Sequence, residues 1–348
     1  MRILLTGIGC PGTPGTLHAL KMDNEKHYIV GVDMNEDILS SFSFFCNATY
    51  PVPAPNTKGY IKNLIEICKK EKVKLLIPQT TNETEAINNC LSAFSIEGIY
   101  VLTPVGNTYK YNNKYLLLGA AKYSGLTVSP FAYSISGNKI DFFFKLKELG
   151  YPKKDLIIKP CIGNGGRGVK HITLKSRTKE EFISKYEFEK ITPDELTNLF
   201  GVNNFPDWLI MSYLPGMEYS VDVLNTPDTE PFIVIRRRDV IRSGITFSCV
   251  VVSNDEIEQQ IKTLLKNYPL YGLFGFQFKE NEEGYPEIIE CNPRVQGTLV
   301  ASCLSSPNLL TAAIEYTLEG KIKNQPVLPK ANTKVTRYWG AISGDVKV

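Results

Sequence analysis

The chain has 348 residues, of which 43% are hydrophobic and 22% charged, with 26 Gly and 21 Pro. That length houses two or three domains with buried cores, and the ordinary composition excludes disordered, collagenous and disulfide-scaffold classes. Lys and Arg number 39 against 36 Asp and Glu, a formal charge of +3, and this near-balance argues against an obligate nucleic-acid binder.

The cysteines (Cys10, Cys46, Cys68, Cys90, Cys161, Cys249, Cys291, Cys303) form no C-x-x-C, and His18, His27 and His171 lie far apart. Such spacing predicts neither a disulfide framework nor a zinc site, but reduced thiols in a cytoplasmic protein. No apolar run reaches the length of a membrane span, so no membrane association is expected.

In chain order, residues 2–5 read as a strand, 16–21 as the start of a helix and 28–32 as a second strand. Residues 60–70 carry Ile61, Leu64, Ile65 and Cys68 at helical spacing; 75–77 is a strand, 84–94 a helix and 98–102 a strand. This βα rhythm predicts a parallel, Rossmann-like α/β sheet over 1–103. Helices follow at 113–124, capped by Asn112 or Asn113, and at 141–149, then a strand at 156–159 and a polar helical stretch over 179–203. Strands then dominate, at 208–212, 219–224, 232–237, 246–252, 273–279 and 287–291, with one helix at 255–267. The second part is therefore α+β, with boundaries expected at 104–207 and 208–348.

Gly7, Gly9 and Gly12 form a G-x-G-x-x-G after the first strand, and Asp33 ends the second. Together these match a dinucleotide fingerprint, glycines admitting a pyrophosphate and the acid holding a ribose. Pro11 and Pro14 interrupt the turn and weaken that reading, which leaves an NAD-type oxidoreductase as an alternative.

A second glycine cluster follows Lys159. Gly163, Gly165, Gly166 and Gly168 exceed what a hairpin turn needs, and no G-K-[ST] is present. Backbone N–H groups freed there close over phosphate oxygens while Lys159 supplies a point charge. Further on, Phe274, Phe276 and Phe278 alternate, so Gln277 faces the other way. A turn centred at 282–283 sets residue 277 opposite residue 288, and puts Gln277, Glu290 and Asn292 on one side. Three oxygen donors beside a phosphate loop suit Mg²⁺, and Arg294 follows, placed to meet negative charge. By alternation Arg236 and Arg238 face one side and Arg237 the other; Arg236 or Arg238 is expected at the substrate, with Gln296, Gly297 and Thr298 as further pocket candidates.

The order Asn113-Lys114, Ile158-Lys159-Pro160, Tyr213-Leu214-Pro215-Gly216 with Glu218, Gln277 and Glu290-Cys291-Asn292-Pro293-Arg294 resembles the ATP-grasp superfamily. Within it, the chain looks most like carboxylate–amine ligases related to one half of the carbamoyl-phosphate synthetase large subunit. The resemblance spans nearly the whole chain and implies an ADP-forming ligase that uses ATP and Mg²⁺ to join a small-molecule carboxylate to an amine. It implies that Lys159 and Lys114 contact the ATP phosphates under the loop of Gly163, Gly165, Gly166 and Gly168. Met211, Ser212, Tyr213 and Leu214 then meet adenine, and Glu218 the ribose. Gln277, Glu290 and Asn292 take the magnesium positions; Arg294 and Lys159, with Arg238 at the substrate, are the catalytic candidates. Three departures stand out: Asn113 replaces the usual Asp, Lys153-Lys154-Asp155 is an insertion, and Ser212 replaces a common Glu. A non-catalytic ATP sensor is a further alternative, and oligomeric state stays open, a homodimer included.

Overall fold

Short apolar runs between glycine- and proline-bearing turns become the strands of three sheets in the computed structural model, which describes residues 1–22, 26–134, 138–163, 166–174, 179, 189–201, 205, 207–242, 244–338 and 340–342. Strands β1 (Arg2–Leu5), β2 (Tyr28–Asp33), β3 (Ala48–Pro51), β4 (Leu75–Ile77) and β5 (Tyr100–Val101) form the first, in the order β3-β2-β1-β4-β5 with every pair parallel. Successive side chains leave by opposite faces. Leu4, Val30 and Leu76 pack with Tyr60 and Leu64 of helix Tyr60–Lys70. Ile3, Leu5 and Ile77 pack with Leu17 and Leu20 of helix Thr13–Lys21. That second core also takes in Leu299, Cys303, Leu309 and Leu310 from helices Leu299–Cys303 and Leu309–Glu319. The two ends of the chain thus share one core.

Two helices differ from expectation. The first begins at Thr13 and not at residue 16, because Pro14 sits in its opening turn, where a missing N–H breaks no helical bond. The stretch expected as one helix is two, Thr81–Asn88 and Leu91–Ile96, with Cys90 between them at φ −132°. Asn88 and Asn89 precede the break, and asparagine side chains compete with the helical backbone.

A two-residue strand, β6 (Val105–Gly106), leads to the second sheet: β7 (Phe131–Ser134), β8 (Leu156–Pro160), β9 (Lys170–Ile172), β10 (Glu189–Ile191) and β11 (Trp208–Ser212), ordered β10-β9-β8-β11-β7. Within 179–203, expected as helical, the described residues hold β10 and helix Pro193–Phe200. Ile158 and Ile210 face Phe142 and Leu146 of helix Lys139–Glu148 on one side, while Ile157, Leu209 and Met211 join the core of the third sheet.

That third sheet is antiparallel: β12 (Glu218–Thr226), β13 (Thr229–Arg242), β14 (Ile245–Val252), β15 (Leu270–Glu280), β16 (Pro286–Asn292) and β17 (Lys334–Thr336), ordered β16-β15-β12-β13-β14-β17, with β6 also pairing β15. Phe274, Phe276 and Phe278 are buried, as their alternation predicts, with Leu117 and Leu118 of helix Lys114–Tyr123 and Ile261 and Leu264 of helix Asp255–Asn267. No helix among the described residues is long and apolar enough to cross a membrane.

The β15–β16 register corrects the expected one. Glu280 pairs with Pro286 and Phe278 with Ile288, because Asn281 Oδ1 accepts from the N–H groups of Glu283 and Tyr285 and closes a five-residue loop. Residue 277 would then face Ile289, and Glu290 would fall among the phenylalanines. A β-bulge at Ile289 prevents this: Gln277 pairs with Glu290 and Gly275 with Asn292. The extra residue restores the shared face.

Candidate active site

Lys159 leaves β8 on the same face as Ile157, toward the third sheet, and is 6% exposed. Its Nζ donates to the carbonyl of Ile289 at 3.1 Å. Ile289 is the bulged residue, so the bulge both turns Glu290 inward and offers a carbonyl outside the regular ladder to the lysine. Burial, followed by the neighbouring Lys114 charge, pushes the Lys159 ammonium down from 10.5 to about 8, against the pull of Glu290 and Glu218.

Lys114 is the first residue of its helix, and Asn113 Oδ1 caps that helix by accepting from Leu116 N–H at 3.1 Å. The Asp-to-Asn departure therefore keeps its capping role. Lys114 Nζ donates to the Gly163 carbonyl at 2.7 Å and stands 3.6 Å from Glu290 Oε2. Lysine, glycine loop and acid thus meet at one point. Gly163, Gly166 and Gly168 all hold positive φ; Gly165 lies outside the described residues.

Asn292 Oδ1 accepts from Arg294 Nη2 at 3.0 Å, and its second lone pair remains available. Gln277, Glu290 and Asn292 present hard oxygen donors with one carboxylate among them, a set suited to Mg²⁺ held jointly with phosphates rather than to a soft metal. No cluster of three His, Cys, Asp or Glu able to hold a metal exists among the described residues. Arg294 also donates to Val295 O at 2.9 Å and from Nε to Thr81 Oγ1 at 3.2 Å, and burial lowers its pKa. Thr81 opens the helix Thr81–Asn88 of the first sheet's domain, so the guanidinium bridges the two ends of the chain. Beside it opens a cleft of about 220 Å³ between that helix, the Asn113 turn and Ile162. Thr81 was not marked by the sequence, since a threonine starting a helix carries no chemical signal.

At the hinge, Met211 and Leu214 are buried and the Tyr213 ring stacks on His171 at 4.9 Å and 10°. Tyr213 N–H donates to the backbone carbonyl of Asp155, which braces the hinge, while Ser212 donates to Pro130 O through both its N–H and its hydroxyl. His171 comes from the strand after the glycine loop; an isolated histidine in β9 gave no sign of this.

Alternation along β13 holds, and of the pair expected at the substrate, Arg236 or Arg238, the first is closed off from any ligand. Arg236 is fully buried, donates to Asp222 Oδ2 at 2.7 Å and to Thr298 O at 3.0 Å, and Ser302 Oγ donates to the same carboxylate oxygen at 2.6 Å. Arg236 is thereby a clamp on the segment that follows Arg294. Arg238 pairs with Glu218 and donates to Gly244 O at 2.9 Å, with Lys279 4.0 Å from the same acid. Gln296 crosses the sheet over Gly275 to donate to Val221 O at 2.8 Å; a Cβ on Gly275 would lie 1.4 Å from its amide nitrogen.

The N-terminal glycines do different work from the one their spacing suggests. Both Asp33 oxygens accept backbone N–H groups, from Gly9 and Asn35, at 2.9 Å each. A Cβ on Gly9 would meet Ile38 Cδ1 at 2.3 Å, and one on Gly12 the Gly297 Cα at 2.7 Å. The space a pyrophosphate would take is filled by the chain itself, which counts against the NAD reading.

Residues 204–339 match the family model described as "ATP-grasp in the biosynthetic pathway with Ter operon", and residues 3–102 match "PylC-like, N-terminal domain". No curated protein matches the sequence. Among solved structures, the biotin carboxylase domain dimer of Hydrogenobacter thermophilus 2-oxoglutarate carboxylase, in complex with MgADP, ADP and bicarbonate, is similar at TM-score 0.69 and 16% identity, over 96% of this chain and 73% of that one. Biotin carboxylase from Campylobacter jejuni gives 0.68 and 16%, over 96% and 74%. N5-carboxyaminoimidazole synthetase from Staphylococcus aureus with ADP gives 0.66 and 14%, over 94% and 79%. At these identities the likeness is one of fold.

Proposed function

Because the chain carries an ATP-grasp domain behind a PylC-like N-terminal domain, we propose that it is an ADP-forming ligase that activates a carboxylate with ATP and joins it to an amine. The observation that carries this is the β-bulge: one inserted residue brings Glu290 beside Gln277 and within 3.6 Å of Lys114, and gives Lys159 its anchor. In this reading 1–103 is a Rossmann-like substrate-side domain, and 104–207 and 208–348 are the two halves that close on ATP. The protein is cytoplasmic, its partners are small molecules, and assembly as a homodimer fits the dimer named for the Hydrogenobacter domain.

Phosphoryl transfer asks the protein mainly to position and to neutralise charge. The substrate carboxylate attacks the γ-phosphorus, ADP leaves, and the amine then displaces phosphate from the acyl phosphate. Lys159 and Lys114 hold the phosphates beneath the glycine loop, Met211 to Leu214 receive adenine beside the His171–Tyr213 stack, and Glu218 takes the ribose hydroxyls while Arg238 fixes its orientation. Gln277, Glu290 and Asn292 hold the Mg²⁺, which neutralises the phosphate charge when bound. Arg294 meets the charge that develops on the transferred group. A sensor would need neither this arginine nor a full donor set, so catalysis is favoured.

The test is phosphate release from Mg-ATP against pooled carboxylic acids, with and without pooled amines. Release that needs both pools and is lost in Glu290→Ala is expected; a Glu290→Ala variant with wild-type turnover removes the metal assignment.

A further inference from the structure

Resting on the ATP-site reading above, we propose that Arg238 is a positioning residue: it ties the ribose acid Glu218 to the tip of the β13–β14 hairpin and so seats the glycine loop for phosphoryl transfer. Arg238 is 6% exposed and works in two directions. Its Nη1 is paired with Glu218, while Nη2 donates to Gly244 O at 2.9 Å. Gly244 lies in the turn that joins Arg242 to Ile245, at φ +75°. Against this turn rests the glycine loop of the second sheet, since a Cβ on Gly166 would meet Gly244 Cα at 3.6 Å, an ordinary van der Waals contact. Lys114 holds the start of the same loop through the Gly163 carbonyl. The loop is therefore gripped at its start by the helix of Lys114 and at Gly166 by the hairpin tip.

The hairpin is built to reach back. Each of its strands carries one extra residue just beyond Arg238. Arg238 pairs with Cys249 and Val240 with Ser248, which leaves Asp239 bulged; Ile241 then pairs with Thr246, which leaves Phe247 bulged. Such bulges bend and twist a ladder. In a flat strand the four residues from Arg238 to Arg242 span about 13 Å, which would carry the turn beyond the reach of the Arg238 side chain. Bent twice, the turn returns its Gly244 carbonyl to that guanidinium. Arginine suits the task because its rigid fork serves two partners in fixed directions, where a lysine offers one compact ammonium. The hinge, Lys114 and Lys159 hold ATP independently of this seat. Its loss should therefore fall on the transfer step more than on ATP binding.

The experiment starts with calorimetric titration of the full chain, native and Arg238→Lys, with a non-hydrolysable ATP analogue in Mg²⁺. Oxidative cross-linking of a Gly166→Cys, Gly244→Cys double variant follows, with Arg238 and with Arg238→Lys, the joined peptides being identified by mass spectrometry. The two Cα atoms lie at most about 5 Å apart, within the span of a disulfide. The pair is expected to cross-link with Arg238 in place and about tenfold more slowly in Arg238→Lys, with the analogue's Kd within about threefold of native. With the acid and amine pools that give phosphate release, Arg238→Lys should lower kcat about tenfold at an ATP KM within about threefold of native. The proposal is overturned if the pair does not cross-link with Arg238 in place, if Arg238→Lys leaves the cross-linking rate unchanged, or if it raises KM and spares kcat. The first of these needs no Arg238 variant, so it decides even where that variant does not fold. Failure of the analogue to bind the native chain overturns the ATP-site reading instead, and is seen before any cross-linking.

Discussion

Affinity for Mg-ATP should fall as pH rises through about 8, because Lys159 loses its proton there. The lysine is 6% exposed, and burial penalises its charged form. A group with a pKa of about 8 is roughly nine-tenths charged at pH 7 and nine-tenths neutral at pH 9. If phosphate binds only the ammonium, apparent affinity drops about tenfold across that interval, or about 1.4 kcal/mol. The bound triphosphate holds the proton on the lysine, so the proton taken up on binding rises from about half at pH 8 to about nine-tenths at pH 9. Calorimetry in buffers of different ionisation enthalpy reads that uptake directly. Lys159→Arg keeps its charge throughout, should flatten the profile, and controls for the ionisation of ATP itself.

Stability moves the other way. The unfolded lysine stays protonated up to its ordinary 10.5, while the folded one deprotonates at about 8. Between those values the unfolded state binds more protons, so folding stability rises with pH across the window. Affinity that falls while stability rises separates loss of the phosphate contact from simple unfolding. Equal affinity at pH 7 and 9, or binding without proton uptake, would refute the reasoning.

Other perturbations test the scaffold beneath the site. Gly275→Ala should displace the Gln296 amide from the Val221 carbonyl and so lose a buried hydrogen bond, at about 1–3 kcal/mol in guanidinium denaturation; adding Gln296→Ala relieves the overlap, so the double variant should lose less than the sum. Arg236→Met strands Asp222 in the core and should cost about 3–5 kcal/mol by the same assay. Asn113→Ala removes the cap on the helix that starts with Lys114 and should cost about 1 kcal/mol, whereas Asn113→Asp should melt within a degree or two of the native protein.

What was legible in the sequence was whatever local chemistry alone decides. Helix 255–267 runs as expected because Asn254 caps it and Ile257, Ile261 and Leu264 keep one buried stripe. The alternation at Phe274, Phe276 and Phe278 fixed the faces of β15 for the same reason. Helix Leu309–Glu319 went unmarked because Leu309, Leu310, Ala312, Ala313 and Ile314 are all buried, which leaves no amphipathic stripe to read. Strands β3 and β7 are four residues each with partial burial, too short and too mixed for a period of two to show. In the site, Lys159, Glu290 and Arg294 stood out as charges at strand ends. Thr81 and the His171–Tyr213 stack did not, because only tertiary contact brings them there.

The two features that misled share a cause. A glycine marks where a backbone or ligand comes close, but not which of them comes. At Gly12 the neighbour is Gly297, three residues after Arg294, so the loop that resembles a nucleotide cradle instead lets the arginine's own segment pack against the first domain. Thr81 holds the arginine from the same domain. The hairpin register failed for a related reason: pairing counted from a turn assumes an unbroken ladder, and the residue that breaks it, Ile289, is apolar and unremarkable in sequence. Its bulge is nevertheless what turns Glu290 toward Gln277 and offers a carbonyl to Lys159. Deleting Ile289 should keep Glu290 opposite Gln277 in a now regular ladder but remove the carbonyl that anchors Lys159, so it should weaken ATP binding more than deleting a residue of the exposed turn at Glu282 or Glu283, which only shortens a loop.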